Sequence, residues 1–281
     1  MGTEQTGSDF LLPLGTLWWR ELLRFYRQRS RVIGVVGSPL VFWLLIGSGL
    51  GTSFRAPSTG DASARGVLAS GQAGGAGYLE YFFPGTLVLI LLFTSIFCMM
   101  SVIEDRREGF LLSVLVAPIG RSVLVLGKVL GGATLAVLQG ILFLPFAFAV
   151  GIPLHPLQIL FLVAILFLIA FGLTGLGFVV AWRMDSMQGF HAIVNLFLIP
   201  MWLLSGALFP ASGAFGWVRW IMKANPLTYG TAALRQVLYL PAQAAGAGNG
   251  IASLPLSLGV TALFGLFMIG IAFWVARQRA I

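Results

Sequence analysis

Charge is what this chain has least of. Of its 281 residues, 17 are Lys or Arg and 9 are Asp or Glu, 9% in all, where a soluble domain carries about 25%. With 58% hydrophobic residues and a mean hydropathy of +0.95, that scarcity excludes a soluble domain and points to an integral membrane protein. Acids are scarcer still, with none after Asp185. A carrier driven by protons or ions needs an acid, a base or a pair inside its spans. Only Lys128 falls within one, close enough to its end to snorkel. The energy for any transport must then come from elsewhere.

Other absences narrow the choice further. The single cysteine, Cys98, permits no internal disulfide and marks no metal site. His155 and His191 have no Glu or Cys at ligand spacing and read as ordinary histidines. Ser and His occur without an acid placed to orient them, so an intramembrane hydrolase has poor support. No nucleotide loop is present. Its nearest imitation, Gly120 to Val129, has six residues between its glycines and Val after the lysine, where a phosphate loop has four and then Ser or Thr. No signal peptide is expected, because the first apolar run begins after residue 31, behind a basic segment. The apolar runs are too long for a β-barrel, whose strands alternate. The net charge of +8 does not imply nucleic acid, since the basic residues sit in short loops and termini.

What is present is a series of long apolar runs. Six are long enough to cross a bilayer core, which takes about 20 residues: approximately 32–54, 82–103, 123–150, 157–182, 187–209 and 254–276. Ahead of them, residues 16–31 alternate Trp18, Trp19, Leu22, Leu23, Phe25 and Tyr26 with Arg20, Arg24, Arg27 and Arg31 at the helical period. An aromatic face opposite an arginine face predicts a helix lying in the membrane interface. Residues 1–13 are polar and read as a mobile tail.

Orientation follows from Lys and Arg. With the N-terminus inside, 12 of the 17 basic residues fall on the cytoplasmic side. Both termini are then cytoplasmic, as is the loop after the second span. That loop holds Glu104, Asp105, Arg106, Arg107 and Glu108 in one run, followed by apolar Phe110 to Val116 and closed by Pro118 and Gly120. A turn needs only a few polar residues, so this greasy, helical piece predicts a docking element for another protein. Before the last span, Asn225-Pro226-Leu227-Thr228 separates two short helical patterns, 218–222 and 231–239. Trp217, Trp220, Tyr229 and Tyr239 belong at headgroup level, which predicts two short helices dipping into the outer leaflet. Gly47-x-x-x-Gly51 and Gly127-x-x-x-Gly131 permit close helix approach, although such spacings arise easily among 36 glycines. Pro39, Pro145 and Pro200 read as kinks belonging to bundle geometry.

Taken in this order, the residues resemble the ABC-2 family of ABC transporter permeases, over essentially the whole chain. The resemblance is carried by Glu104 to Gly109, Leu112, Pro118, Arg121, Gly127 and Lys128, and by Asn225-Pro226-Leu227-Thr228 through Leu234-Arg235. Phe110-Leu111 departs from it, since many members have Thr or Ser after the glycine. The resemblance implies an all-α integral membrane fold with six transmembrane helices, an N-terminal interfacial amphipathic helix, a cytoplasmic coupling helix, and short re-entrant helices before the sixth span. It implies an exporter subunit that is not itself an enzyme and binds no cofactor, with ATP and Mg on a partner ATPase present in two copies. A second copy of the permease completes a homodimer in a bacterial cytoplasmic (inner) membrane.

Coupling to the ATPase is then expected at Glu104, Arg107, Glu108, Gly109, Leu112, Pro118 and Arg121, with the interfacial helix contributing Trp18, Trp19, Arg20, Arg24 and Arg27. The re-entrant segment is marked by Asn225, Pro226, Tyr229 and Arg235. The resemblance places the pathway on spans one, two and five, at Phe42, Trp43, Phe93, Phe97, Met100, Phe190, Phe197 and Trp202. Such an uncharged wall suits drugs or lipid-like molecules, as in multidrug efflux, or sugars stacking on rings; packing and lipid-facing roles account for each single residue equally well. Three readings stay open: efflux of a hydrophobic drug or lipid, export of a lipid-linked polysaccharide, and a stand-alone membrane enzyme or scramblase.

Overall fold

A computed structural model describes residues 7–27, 33–34, 37, 39–46, 76–116, 120–209, 211, 214–239 and 252–278. Among these residues every regular element is helical. Five helices are long and apolar enough to cross a membrane: Leu79–Arg107, Arg121–Ala149, Pro156–Arg183, Met187–Ala207 and Leu254–Gln278. The expected first span, 32–54, lies largely outside the described residues; within it, 39–46 is helical.

Helix α1 (Gly7–Arg27) begins well before the expected residue 16 and runs through Pro13. Phe10, Leu11, Leu12 and Leu14 extend its apolar pattern toward the N-terminus, so the supposed polar tail is helix from residue 7. Leu17, Leu22 and Phe25 are buried, while Trp19, Leu23 and Tyr26 are exposed. Helix α2 (Ala76–Cys98) breaks at Met99 and continues as α3 (Met100–Arg107). The acidic residues Glu104 and Asp105 therefore belong to the end of a span, not to a water-facing loop. After Gly109 comes the short α4 (Phe110–Val116), helical as the sequence suggested. Pro118, the expected end of that element, lies outside the described residues.

The third span is α5 (Arg121–Phe143) with a one-turn extension, α6 (Phe146–Ala149), after a break at Leu144-Pro145. Pro145 lacks the N–H that would continue the ladder. A tight connection leads to α7 (Pro156–Arg183), whose entry is closed by a reciprocal box between His155 and Gln158. Helix α8 (Met187–Trp202) starts at Ser186, whose hydroxyl accepts from the Gly189 N–H at 2.8 Å. It ends in a π-helical segment, Leu203–Ala207, where Gly206 has φ 77°. Two short helices follow, α9 (Gly216–Ala224) and α10 (Pro226–Leu238), longer than the expected 218–222 and 231–239. The last span is α11 (Leu254–Gln278).

Helix α1 rests on α5 at the Gly127-x-x-x-Gly131 pair. A Cβ on Gly127 would lie 2.8 Å from the Leu17 Cβ, and one on Gly131 would lie 2.8 Å from the Glu21 Cβ. The small-residue pair thus serves α1, not a pairing of two spans. We expect Gly131→Leu to lift α1 off the bundle and cost about 1–3 kcal/mol through overpacking. Unfolding of the purified protein in SDS titration would show the loss, while an unchanged midpoint would refute the seat.

Candidate functional site

The polar chemistry gathers at the end of the bundle where α3 finishes and α5 begins. Lys128, on α5, is 1% exposed and does not snorkel. Its ammonium donates to Glu21 Oε1 at 2.8 Å, to Ser101 Oγ at 3.0 Å, and to Asp105 Oδ2. Ser101 in turn donates to Glu21 Oε2 at 2.7 Å. Asp105 is fully buried and takes both forks of Arg20, at 2.8 and 3.1 Å, together with Arg24 Nη1. Arg24 reaches further, to Glu104 Oε2 at 2.9 Å and Glu108 Oε1 at 3.3 Å. Three helices are tied by one network in which three cations (Arg20, Arg24, Lys128) meet three acids of low exposure (Glu21, Glu104, Asp105), with exposed Glu108 at its rim.

The expectation that charges avoid the spans is overturned here. A lone buried ion would cost several kcal/mol. The network makes burial tolerable because each charge has an opposite neighbour. Arg20 shows the balance. Burial alone would lower its pKa, yet the bonds and charge of Asp105 outweigh that, and it is raised above the usual arginine value.

From this network hangs α4. Gly109 takes φ 74°, a left-handed conformation that glycine alone adopts without strain, and so turns the chain off the end of α3. The Arg20 guanidinium lies 3.7 Å above the centre of the Phe110 ring, a cation–π contact joining α1 to α4. The departure from the family pattern at Phe110 thus has a structural use. Leu111 is fully buried, whereas Leu112 is 49% and Val116 87% exposed. The seven-residue helix thus presents two apolar side chains outward beside a charged collar. Glu104, Glu108 and Gly109 meet at this collar.

Two other arginines cap helix ends. Arg121 donates to the carbonyls of Ala276 and Arg277, at 3.0 and 2.9 Å, and caps the end of α11, where a cation suits the helix dipole. Arg106 does the same at the end of α7, donating to Trp182 O at 2.7 Å and Met184 O at 3.0 Å while pairing with Asp185. Arg107 reaches Asp185 O at 3.0 Å. In α1, Trp18 donates to Thr134 Oγ1 at 3.1 Å; Trp19 and Arg27 stay on the open side.

At the opposite end of the bundle, the Asn-Pro helix reads the backbone of the broken span. Asn225 Nδ2 donates to Met201 O at 2.6 Å, Thr228 to Leu204 O at 3.3 Å, and Arg235 to Gly206 O at 3.1 Å. These are carbonyls of the region where α8 turns into the π segment. Tyr81, from α2, adds a bond to Gly206 O at 3.3 Å and places its ring 4.2 Å beneath the Arg235 guanidinium. Asn225 Oδ1 also accepts from the Leu227 N–H at 3.0 Å, capping α10, and Pro226 sits at the first position of that helix. Tyr229 donates to Lys223 O at 3.0 Å, at the surface. We expect Arg235→Met to strip the Gly206 carbonyl of a charged donor at a cost of about 1–3 kcal/mol. Amide hydrogen exchange of residues 203–207 would quicken; unchanged protection would show that the clamp contributes nothing.

The residues expected along a pathway separate into two groups. Trp43, Met100, Phe190 and Trp202 are buried in the core of this one chain and serve packing; the Trp202 N–H, for example, is bound to Gly85 O at 2.9 Å. Phe42 and Phe197 are exposed, and Phe93 and Phe97 are half-buried. Phe93 and Phe97 stack with centroids 5.5 Å apart, and His191 lies 5.1 Å from Phe97, so spans two and five share an aromatic surface. Among the described residues no group of acids, histidines or cysteines is placed to hold a metal.

Sequence reasoning passed over Glu21 and Ser101, and misjudged Lys128 and Asp105. The signal for Glu21 was in its spacing. It lies four residues from both Leu17 and Phe25, on the buried face of α1, where an acid needs a buried partner.

Comparison with known proteins agrees with the family likeness. A family model described as ABC-2 type transporter matches residues 13–239. A provisionally named transport permease, ycf38, of Cyanophora paradoxa is 30% identical over 154 residues, covering 54% of this chain and 53% of the relative. The alignment thus spans about half the length of each.

Proposed function

Because the chain belongs to the ABC-2 type transporter family, we propose that it is the permease of an ATP-driven exporter, moving a hydrophobic or amphipathic substrate out of the cytoplasm or the inner leaflet. It is a multi-pass membrane protein and a transport permease subunit, and the permeases of this family work with ABC ATPase subunits. The arrangement argued for here has two copies of the permease above two ATPases in a bacterial inner membrane. Its termini and the Glu104 end face the cytoplasm, where 12 of the 17 basic residues then lie.

One observation carries the reading: a short helix with exposed Leu112 and Val116 is fastened by Arg20 and Arg24 to a buried ionic network spanning α1, α3 and α5. In this reading α4 is the coupling helix. An ATPase that grips it pulls on Phe110 and Glu108, and the network passes the displacement to three helices together. Because the ions are desolvated and mutually paired, these helices shift as a unit, not one at a time. The free energy comes from nucleotide binding to the partner, which must favour one state by several kcal/mol to switch the population.

The half-open Phe93–Phe97–His191 surface and exposed Phe197 suit a drug-like or lipid-like substrate. The same rings could stack on sugars, which keeps lipid-linked polysaccharide export as a second reading. Reconstitution into liposomes tests the proposal. The chain alone should move nothing, and adding its partner ABC ATPase should give ATP-dependent extrusion of a fluorescent amphipath. Activity of the isolated chain, as a scramblase or enzyme, would refute the permease reading.

A further inference from the structure

A groove of about 550 Å³ runs along α1 toward the turn after α3, lined by Thr16, Trp19, Arg20, Leu23, Arg24, Arg27 and Glu108. Its lining residues on α1 recur every three to four positions, one stripe of the helix. Three guanidiniums face it against a single carboxylate. Arg20 and Arg24 are already held by acids, Arg20 by Asp105 and Glu21 and Arg24 by Asp105, Glu104 and Glu108, so Arg27 is the cation left to meet a ligand. Arg27 is exposed and has no carboxylate partner among the described residues. Trp19 (54% exposed) and Leu23 (43%) form the apolar wall, which continues into exposed Leu12 and Tyr26.

We infer that this groove binds the headgroup of an anionic phospholipid from the leaflet in which α1 lies. The Arg27 guanidinium matches phosphate oxygens in bidentate geometry. Trp belongs at headgroup level, where Trp19 and Leu23 would meet the glycerol and the first methylenes of the chains. The apolar strip beside the cations favours a lipid over a soluble anion. Its continuity along α1 favours a lipid over a polypeptide, because the strip needs an apolar cover along its whole length. The groove shares Glu108 with the collar of α4, but Leu112 and Val116 lie outside its lining, so the lipid would hold α1 at the interface while those two side chains remain free.

The inference rests on the interfacial placement of α1 in the reading above. Its test needs neither ATPase nor transported substrate, so its failure leaves the permease assignment standing. Full-length protein in neutral detergent is titrated with phosphatidylglycerol or phosphatidylcholine of the same acyl chains, and bound lipid is counted by native mass spectrometry. We expect phosphatidylglycerol to bind several-fold more tightly. Arg27→Gln should weaken it by about five-fold, the share of one basic residue near an anionic surface, without changing phosphatidylcholine binding. Leu23→Asn should weaken both lipids. Thermal unfolding of Arg27→Gln in phosphatidylcholine should match the parent, since Arg27 is exposed and outside the ionic network. Equal binding of the two lipids, or no effect of Arg27→Gln, overturns the site. So does displacement of phosphatidylglycerol by glycerol 3-phosphate or by a hexaglutamate peptide at equal charge, which would assign the groove to a soluble anion or to an acidic protein segment.

Discussion

Lys128→Met should lower the stability of the folded protein by about 3–5 kcal/mol, the loss expected when one partner of a buried ion pair is removed. The reason lies in the count of charges. Lys128, Arg20 and Arg24 balance Glu21, Asp105 and Glu104 in a space where Lys128 and Asp105 have almost no contact with solvent. Without Lys128, Glu21 keeps the Ser101 hydroxyl and a 3.5 Å contact with Arg20, and one acid is left uncompensated. The double variant Glu21→Gln, Lys128→Met restores neutrality and should recover a large part of the loss. The measurement is SDS-titrated unfolding of the four proteins of the cycle, read by tryptophan fluorescence. A strong coupling between the two sites is the expected result. If the single change costs less than about 1 kcal/mol, or if the two changes simply add, the network is not the joint described.

Leu112→Arg should do the reverse, leaving stability nearly untouched while removing function. Leu112 is half-exposed, and surface changes of this kind shift stability by about 0.5 kcal/mol or less. An apolar anchor at the centre of a protein contact is worth about 2 kcal/mol or more, which corresponds to about thirty-fold in affinity. ATP-dependent extrusion in liposomes should fall accordingly, with the unfolding midpoint unchanged. Gly109→Pro should uncouple as well, because Gly109 holds φ 74° and proline is fixed near −65°; Glu108→Arg should do so by opposing Arg24. Leu111→Ala serves as the contrast. That side chain is fully buried, so the change should cost about 2–5 kcal/mol of stability. Unaltered transport in Leu112→Arg would remove α4 from the role of coupling helix.

Much of this was legible in the chain. The apolar runs of the last three spans were found within a few residues of their structural ends, because a bilayer demands about 20 residues with backbone bonds closed inside the segment. The helicity of Phe110–Val116 followed from an apolar run bounded by glycine and proline. Asn225-Pro226 was read as a turn between two short helices, the second from residue 231; in the structure it starts α10 itself, Asn225 as cap and Pro226 as first residue. Where sequence reading failed, the partner was distant. It placed Lys128 in water because a lysine near a span end usually reaches out; only the packing of α1 against Gly127 and Gly131 brings Glu21 within 2.8 Å of it. It ended the second span before Glu104 because acids seldom belong to one. Arg20 and Arg24, more than 80 positions earlier, are what let the helix continue to Arg107.

By itself, then, the sequence determined that this is a membrane protein of several helical spans, and which short segments interrupt them. Those properties depend on hydropathy, period and local turn chemistry, all written within one or two turns of chain. Tertiary structure alone decided which charges are buried, which aromatics pack and which stay open, and what the arginines at positions 20, 106, 121 and 235 hold. A charge or a ring has its role set by the neighbour across the packed interface, and that neighbour is chosen by the fold.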